Sequence, residues 1–257
     1  MEARKVIPSN GWLWIKQGYW SFKKSPILWM VLVSIAFAGM IGITAIPVAG
    51  DALITLLAPP LLAGFMFGCR ALEREEELEL AHLFSGFQKH TQHLVTLGGI
   101  NLVGQLLILG AMRLTGGADL VVVLMEGSYV EDFTVLSQAV ANAGAAPLIG
   151  IALFSILLMA MQFAPMLVIF NNMAPIQALE SSLRAFLRNV MPMTVYAAML
   201  MPLAFMATVA MMLGWFVLLP VFIASMYAAY HDLFPTEIVE TTTTEDKAVG
   251  LDDRAHF

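Results

Sequence analysis

Six long apolar stretches constrain what this chain of 257 residues can fold into. A helix needs about 20 mostly apolar residues to cross roughly 30 Å of hydrocarbon, and each stretch is near that length. Because lipid offers no partner to backbone polar groups, such stretches cross a bilayer as α-helices. The sequence therefore predicts an all-α, polytopic membrane helix bundle. The predicted spans are 26–46, 51–71, 92–114, 145–170, 191–213 and 215–234.

The composition favours lipid over water as the solvent. The chain is 59% hydrophobic and 12% charged, whereas soluble domains are about 45–50% apolar and about 25% charged. Too little polar surface remains to cover a water-soluble globule. The net charge of −6 is unlike the basic footprint of a nucleic-acid-binding protein. We therefore expect membrane lipids, and no nucleic acid, as partners.

The last two spans are separated only by Gly214. Read as one helix, they would be about twice as long as a bilayer requires. A tight hairpin at Leu213, Gly214 and Trp215 is the better interpretation, and it places Trp215 at an interface where tryptophan is favoured.

Lysine and arginine predict the orientation. With the N-terminus in the cytoplasm, 12 of the 13 basic residues fall on the cytoplasmic side, and only Arg113 falls outside. This asymmetry is a strong positive-inside signal. We expect both termini to lie in the cytoplasm. The first 25 residues are expected to stay on the mature protein, and the acidic tail 235–257 to be disordered.

The outer loop 115–144 contains apolar residues at helical spacing, namely Val130, Phe133, Leu136 and Val140. They indicate a short amphipathic helix on the outer membrane face. The alternative is a capping loop with no partner.

An amphipathic segment precedes each odd-numbered span, at 10–25, 78–89 and 176–189. In the first, Trp12, Ile15, Tyr19 and Phe22 form one apolar face. We expect these segments to be surface helices at the membrane interface, where Trp and Lys are favoured. The predicted interfacial anchors are Trp12, Trp14, Trp20, Lys23 and Lys24.

Each even-numbered span contains proline in its interior, at Pro59 and Pro60, at Pro165 and at Pro220. Proline removes a backbone hydrogen bond and kinks a helix. The recurring unit is a surface helix, a straight span and a kinked span, which indicates a possible threefold internal repeat.

Three short motifs resemble a family of bacterial inner-membrane proteins that is described only as a domain of unknown function. The first motif comprises Gly11, Trp12, Trp14, Ile15, Gly18, Phe22, Pro26 and Trp29; the others are 83–87 and 227–234. His231 stands where the resemblance would place Arg or Lys. The family is distantly like the membrane domains of glycerophosphodiester phosphodiesterases. The resemblance implies six helices and an inner-membrane address, and it supplies no functional residues.

The middles of the six spans contain no Asp, Glu, Lys, Arg or His. Ionisable groups in lipid mark proton relays and charge-coupled transport, so their absence from these segments argues against both. We expect no catalytic, cofactor-binding or metal-binding residues. His82, His90 and His93 could form either a metal site or a solvated, charged face. The methionines of spans four and five could either bind cuprous ions or simply pack as apolar side chains.

Asn101 and Gln105 lie four residues apart on span three, and Gln162 lies in span four. Amides in lipid need partners, so we expect these three side chains to form a polar patch inside the bundle. They either hold helices together or line a substrate path.

The sequence favours a non-enzymatic integral membrane protein that binds lipid, a membrane-protein partner or a second copy of itself, for example in envelope maintenance or assembly. The alternative is a transporter or permeation protein for a small or lipidic substrate, since broken helices often line transport sites. A lipid-headgroup enzyme would have to use the acids between 73 and 79 and the three histidines.

Overall fold

The computed structural model describes residues 3–47, 49–126, 133–209 and 213–235, and these residues form helices without any strand. The tail from 236 onward, Val130 and the residues 210–212 lie outside the described residues. The helices are α1 (Asn10–Lys24), α2 (Pro26–Thr44), α3 (Gly50–Glu73), α4 (Leu80–Ser85), α5 (Thr91–Leu114), α6 (Ala118–Glu126), α7 (Phe133–Asn142), α8 (Ala146–Met161), α9 (Ala164–Asn171), α10 (Pro175–Arg188), α11 (Val190–Val209) and α12 (Trp215–Leu233).

Six helical segments are long and apolar enough to cross a membrane, as predicted. They are α2, α3, α5, the pair α8–α9 (Ala146–Asn171), α11 and α12. Within the apolar window of each span, α3, α8–α9 and α12 bury 50%, 39% and 50% of their residues, whereas α2, α5 and α11 bury 17%, 17% and 22%. The even-numbered spans therefore form the centre of the bundle, and the odd-numbered spans surround them.

Proline breaks the helix visibly in only one of the described spans. Helices α3 and α12 continue through Pro59, Pro60 and Pro220, whereas span four separates into α8 and α9 just before Pro165. Helix α11, in a span predicted to be straight, also contains a proline, Pro202. Pro165 therefore lies at a break in its span, whereas the predicted kinks at Pro59, Pro60 and Pro220, where the helix is continuous, stay predictions.

The hydroxyl of Ser182, on α10, fills the break between α8 and α9. Its Oγ accepts a hydrogen bond from the backbone N–H of Phe163 at 3.0 Å and donates to the carbonyl of Met159 at 2.9 Å. In an unbroken helix Phe163 would donate directly to Met159. The inserted hydroxyl thus satisfies both backbone groups within the buried core, where Ser182 is fully enclosed.

The three helices predicted as surface elements pack in a ring. Helix α4 packs on α3, α10 packs on α8 and α9, and α1 packs on α12. Each therefore contacts the proline-containing span of the preceding unit, and the α1–α12 contact joins the last unit to the first. This arrangement agrees with the predicted threefold pattern.

Two glycines on one face of α1 allow its close approach to the bundle. A Cβ on Gly18 would lie 2.5 Å from the carbonyl oxygen of Val221, and a Cβ on Gly11 would lie 2.7 Å from the backbone nitrogen of Tyr196. Only glycine fits at such backbone contacts. Helix α1 is consequently held against α11 and α12 by its small residues.

The buried face of α1 differs from the predicted apolar face. The residues that it buries are Gly11, Trp14, Ile15, Gly18 and Phe22. Trp12 and Tyr19, which the sequence places on one face with Ile15 and Phe22, are 43% and 47% exposed. Helix α1 therefore has apolar residues on more than one side, and Gly11 and Gly18 mark the side that packs on the bundle.

The second surface helix is shorter than the predicted segment 78–89. Glu79 caps α4 reciprocally with His82, whose Nδ1 accepts the backbone N–H of Glu79 at 2.9 Å. The following residues form turns, and His90 takes a left-handed conformation, with φ of 57°, immediately before α5. Segment 78–89 therefore divides into a helix of six residues and a connector.

The segment 115–144, which the sequence predicts as an outer loop, contains helices α6 and α7, of which only α7 was predicted. Leu120 and Val121 of α6 and Ala139 of α7 are buried in a small core against Met112, at the end of α5. The described part of the loop therefore packs on the bundle. Phe133, at the start of α7, is 73% exposed.

Candidate functional site

The polar groups of the bundle converge at one end, which we call the basic end: α1, α4, α10 and the last turns of α3, α9 and α12. Asp232, at the last turn of α12, is the centre of the first group. Its carboxylate accepts hydrogen bonds from the guanidinium of Arg4, from Asn10 Nδ2 at 2.7 Å and from Trp14 Nε1 at 2.9 Å. The Asp232 side chain is 17% exposed. Charge-assisted bonds of this kind are stronger than neutral ones.

Asn189, between α10 and α11, fixes the segment that precedes α1. It is 1% exposed. Its Oδ1 accepts the backbone N–H of Val6 at 2.9 Å, and its Nδ2 donates to the carbonyls of Arg4 and Ala185, each at 3.0 Å. The backbone N–H of Arg4 also donates to the carbonyl of Leu233 at 2.8 Å. The N-terminal segment is thereby attached to two parts of the bundle.

A second polar group joins the ends of α3 and α12. The hydroxyl of Tyr227 donates to Glu73 Oε2 at 2.5 Å, and His231 Nε2 lies 3.5 Å from Glu73 Oε1. About one turn further toward the end of α12, Tyr230 donates to Asn171 Oδ1 at 2.5 Å. These bonds connect the central spans where they leave the apolar core.

A cavity of about 550 Å³ lies between these two groups, and we call it the basic-end cavity. Its walls come from α1, α3 and α12. Lys24 lies on its rim and donates to the carbonyl of Leu72 at 2.7 Å, near the end of α3. The ionisable or phenolic residues that line it are Arg4, Lys24, Cys69, Glu73, Tyr227, His231 and Asp232. Both carboxylates are already engaged by neighbouring side chains.

The outward face of α1 carries alternating aromatic and basic side chains, which we call the aromatic–lysine belt: Trp12, Lys16, Tyr19, Trp20 and Lys23. The ammonium of Lys16 lies 5.6 Å from the ring centre of Trp12, and that of Lys23 lies 5.0 Å from Trp20 and 5.7 Å from Tyr19. Trp20 is 63% exposed. Aromatic and basic residues of this kind are favoured where a protein meets lipid headgroups.

Trp14 does not fit the prediction of an interfacial anchor, because its indole is fully buried and bonded to Asp232. Lys24 faces the basic-end cavity. Trp12, Trp20 and Lys23 remain on the outward face of α1.

The predicted polar patch is not joined by hydrogen bonds among the described residues. Asn101 and Gln105 are half-buried on α5, and Gln162 is half-buried at the break between α8 and α9. None of the three lines the basic-end cavity. Of the residues that do converge there, Arg4 and Asp232 were not predicted as site residues, and Glu73 was considered only for the alternative of a lipid-headgroup enzyme.

His82, His90 and His93 do not form a cluster with metal-ligating geometry. In the part of the chain that the structure describes, no group of three His, Cys, Asp or Glu residues could hold a metal ion. His82 instead caps α4. His90 lies in the connector before α5, and His93 lies in the first turn of that helix.

The sequence is similar to that of a probable inner membrane protein of Burkholderia thailandensis. The two are 29% identical over 208 residues, which are 79% of this chain and 77% of the relative. With six helices suited to crossing a bilayer, this similarity decides the location. The chain is a multi-pass inner-membrane protein. The relative also supports the predicted resemblance to a family of inner-membrane proteins.

No protein-family model matches the sequence, and no solved structure matches it. The comparisons give no link to glycerophosphodiester phosphodiesterases.

Proposed function

We propose that this inner-membrane protein is non-enzymatic and binds membrane lipid or a membrane-protein partner at its basic end, in envelope maintenance or assembly. The observation that carries the proposal is the aromatic–lysine belt. It lies on a helix whose opposite face is fixed to α12 by Gly18 and by the Trp14–Asp232 hydrogen bond. A belt held rigidly in this way can contact headgroups without ordering a flexible segment first, which lowers the entropic cost of binding.

The bonding at the basic-end cavity supports a structural role for its polar groups. Asp232 is bonded to three donors, and Glu73 is bonded to Tyr227 and lies beside His231. These bonds hold the ends of α1, α3 and α12 together. The cavity therefore belongs to the framework that presents the belt.

Extraction in polymer-bounded native nanodiscs, followed by mass spectrometry of lipids and proteins, tests the proposal. The belt variant replaces Trp12 and Trp20 by Ala and Lys16 and Lys23 by Gln. A control variant replaces Leu107 and Leu148, which are 69% and 73% exposed on α5 and α8, by Ala. We expect the wild type and the control to retain a specific lipid class or partner, and the belt variant to lose it.

Two results would contradict the proposal. The first is that wild type, control and belt variant carry the same lipids as the bulk membrane and no partner. The second is that a water-soluble small molecule stays with the protein and is moved across vesicles, which would favour the alternative of a transporter or permeation protein.

A further inference from the structure

An apolar groove of about 660 Å³ lies between α1 and the pair α11–α12, and we call it the lipid groove. Helix α1 provides one wall through Trp12, Ile15 and Tyr19. The other wall includes Leu203 and Met206 of α11 and Val217 of α12.

The groove runs away from the basic end. Helix α1 contacts the first turns of α11, at Pro192 and Tyr196, whereas the groove is lined by residues near the end of α11. On α12 it extends from Val221 to Gly214, which is about 10 Å of helix at 1.5 Å per residue. An extended hydrocarbon chain lying along α12 would follow this direction.

Among the described residues that line the groove, Lys16 on α1 is the single charged side chain. Lys23, two turns further along α1, places its ammonium over the rings of Tyr19 and Trp20, which also line the groove. The surface thus pairs an apolar channel with two ammonium groups at one side, which is complementary to an acyl chain attached to a phosphate.

We propose that the lipid groove binds one acyl chain of an anionic phospholipid, with Lys16 and Lys23 contacting its phosphate. The lipid comes from the leaflet at the basic end. The inference rests on the lipid-binding part of the proposed function, and it names the site and the lipid class.

Photocrosslinking in nanodiscs tests the inference on the full-length protein. The bilayer is phosphatidylcholine that contains a minority of phosphatidylglycerol with a diazirine on one acyl chain, and labelled residues are located by mass spectrometry. A matched bilayer carries the diazirine on phosphatidylcholine instead. We expect labelling by the phosphatidylglycerol probe to concentrate at Leu203, Met206 and Val217.

Two variants separate the acyl-chain contact from the phosphate contact. Val217→Trp fills the groove, since Val217 is 40% exposed there. Lys16→Gln/Lys23→Gln removes both ammonium groups, and the loss of each lysine is expected to lower groove labelling about fivefold. The controls are Leu107→Trp on α5 and Lys89→Gln at the basic end, outside the groove. Unchanged thermal unfolding identifies the variants that are folded.

The inference is overturned if groove residues are labelled no more than Leu107, or if the two probes label the groove equally. It is also overturned if a second copy of the chain, captured by crosslinking through Met206, occupies the groove. If groove labelling fails while the belt variant still loses its lipid or partner, the inference alone fails. If the belt variant loses nothing, the proposed function fails as well.

Discussion

Arg4 forms an ion pair with Asp232, 228 positions later in the chain. The pair joins the segment before the first helix to the last turn of the last span. Together with the contact of α1 on α12, it closes the ring of three helical units. The segment before α1 and the last turn of α12 are therefore held together at the basic end.

Replacing Asp232 by Asn should destabilise the protein. Hydrogen bonds to charged groups contribute about 1.5–3 kcal/mol each, and the variant weakens three of them, so we expect a loss of about 2 kcal/mol or more. Thermal or denaturant unfolding in detergent micelles measures this loss of stability. The control is Arg184→Gln, which removes the exposed pair Arg184–Glu180 and should cost less than about 1 kcal/mol. Equal stability of both variants would contradict the central role of Asp232.

Gly18→Ala should disturb the packing of α1 on α12. The new Cβ would lie 2.5 Å from the carbonyl oxygen of Val221 and 2.7 Å from the nitrogen of Ser225. Because both are backbone atoms, the helices must separate, at a cost of about 1–3 kcal/mol. A Cβ on Gly42 would meet no atom of another described helix within 4 Å, so Gly42→Ala should be neutral or stabilising by up to about 1 kcal/mol. If Gly18→Ala leaves the free energy of unfolding unchanged in the same assay, α1 is not tightly packed on α12.

Ser182→Ala should destabilise the break in span four. It leaves the N–H of Phe163 and the carbonyl of Met159 buried without the hydroxyl that bridges them. An unsatisfied buried polar group costs about 1–3 kcal/mol. Ser155→Ala is the control, since its hydroxyl bonds only to the carbonyl of Ile151 in its own helix. Stabilities of the two variants within about 0.5 kcal/mol of each other would argue against the bridging role.

Asn189→Ala should release the segment before α1. The amide of Val6 loses its acceptor, and the carbonyl of Arg4 loses its donor. Hydrogen exchange is expected to increase at Val6 while the central helix α3 keeps its protection, because local opening needs less free energy than global unfolding. Asn142→Ala, at the exposed end of α7, should leave exchange at Val6 unchanged. Unaltered exchange in Asn189→Ala would mean that other contacts hold the segment.

The sequence was sufficient to predict the six spans, because a bilayer requires a fixed length of apolar residues and the runs between 26 and 234 supply it six times. It could not predict which face of α1 is buried. Trp12 and Trp14 are chemically equal, and a helix between the bundle and its surroundings has apolar residues on both sides. The available signal was Gly11 and Gly18, seven residues apart and therefore on one face.

The polar groups at the basic end could not be predicted from sequence pattern. Asp232 stands at the end of a span, where a charged residue is ordinary, and nothing in its neighbourhood indicates Arg4 as its partner. Such pairs form only when distant segments pack together. By contrast, Asn101 and Gln105 were easy to identify in the sequence because amides are rare in membrane-spanning segments. Their presence in a span does not predict where a cavity forms.

We propose that the chain crosses the membrane six times with its basic end in the cytoplasm. Single cysteines in a Cys69→Ala chain, labelled in intact spheroplasts with a membrane-impermeant maleimide, test it directly. We expect labelling of Thr115→Cys and Leu213→Cys without lysis, and labelling of Gln88→Cys and Gln177→Cys only after lysis. Labelling of position 88 or 177 in intact spheroplasts would contradict it.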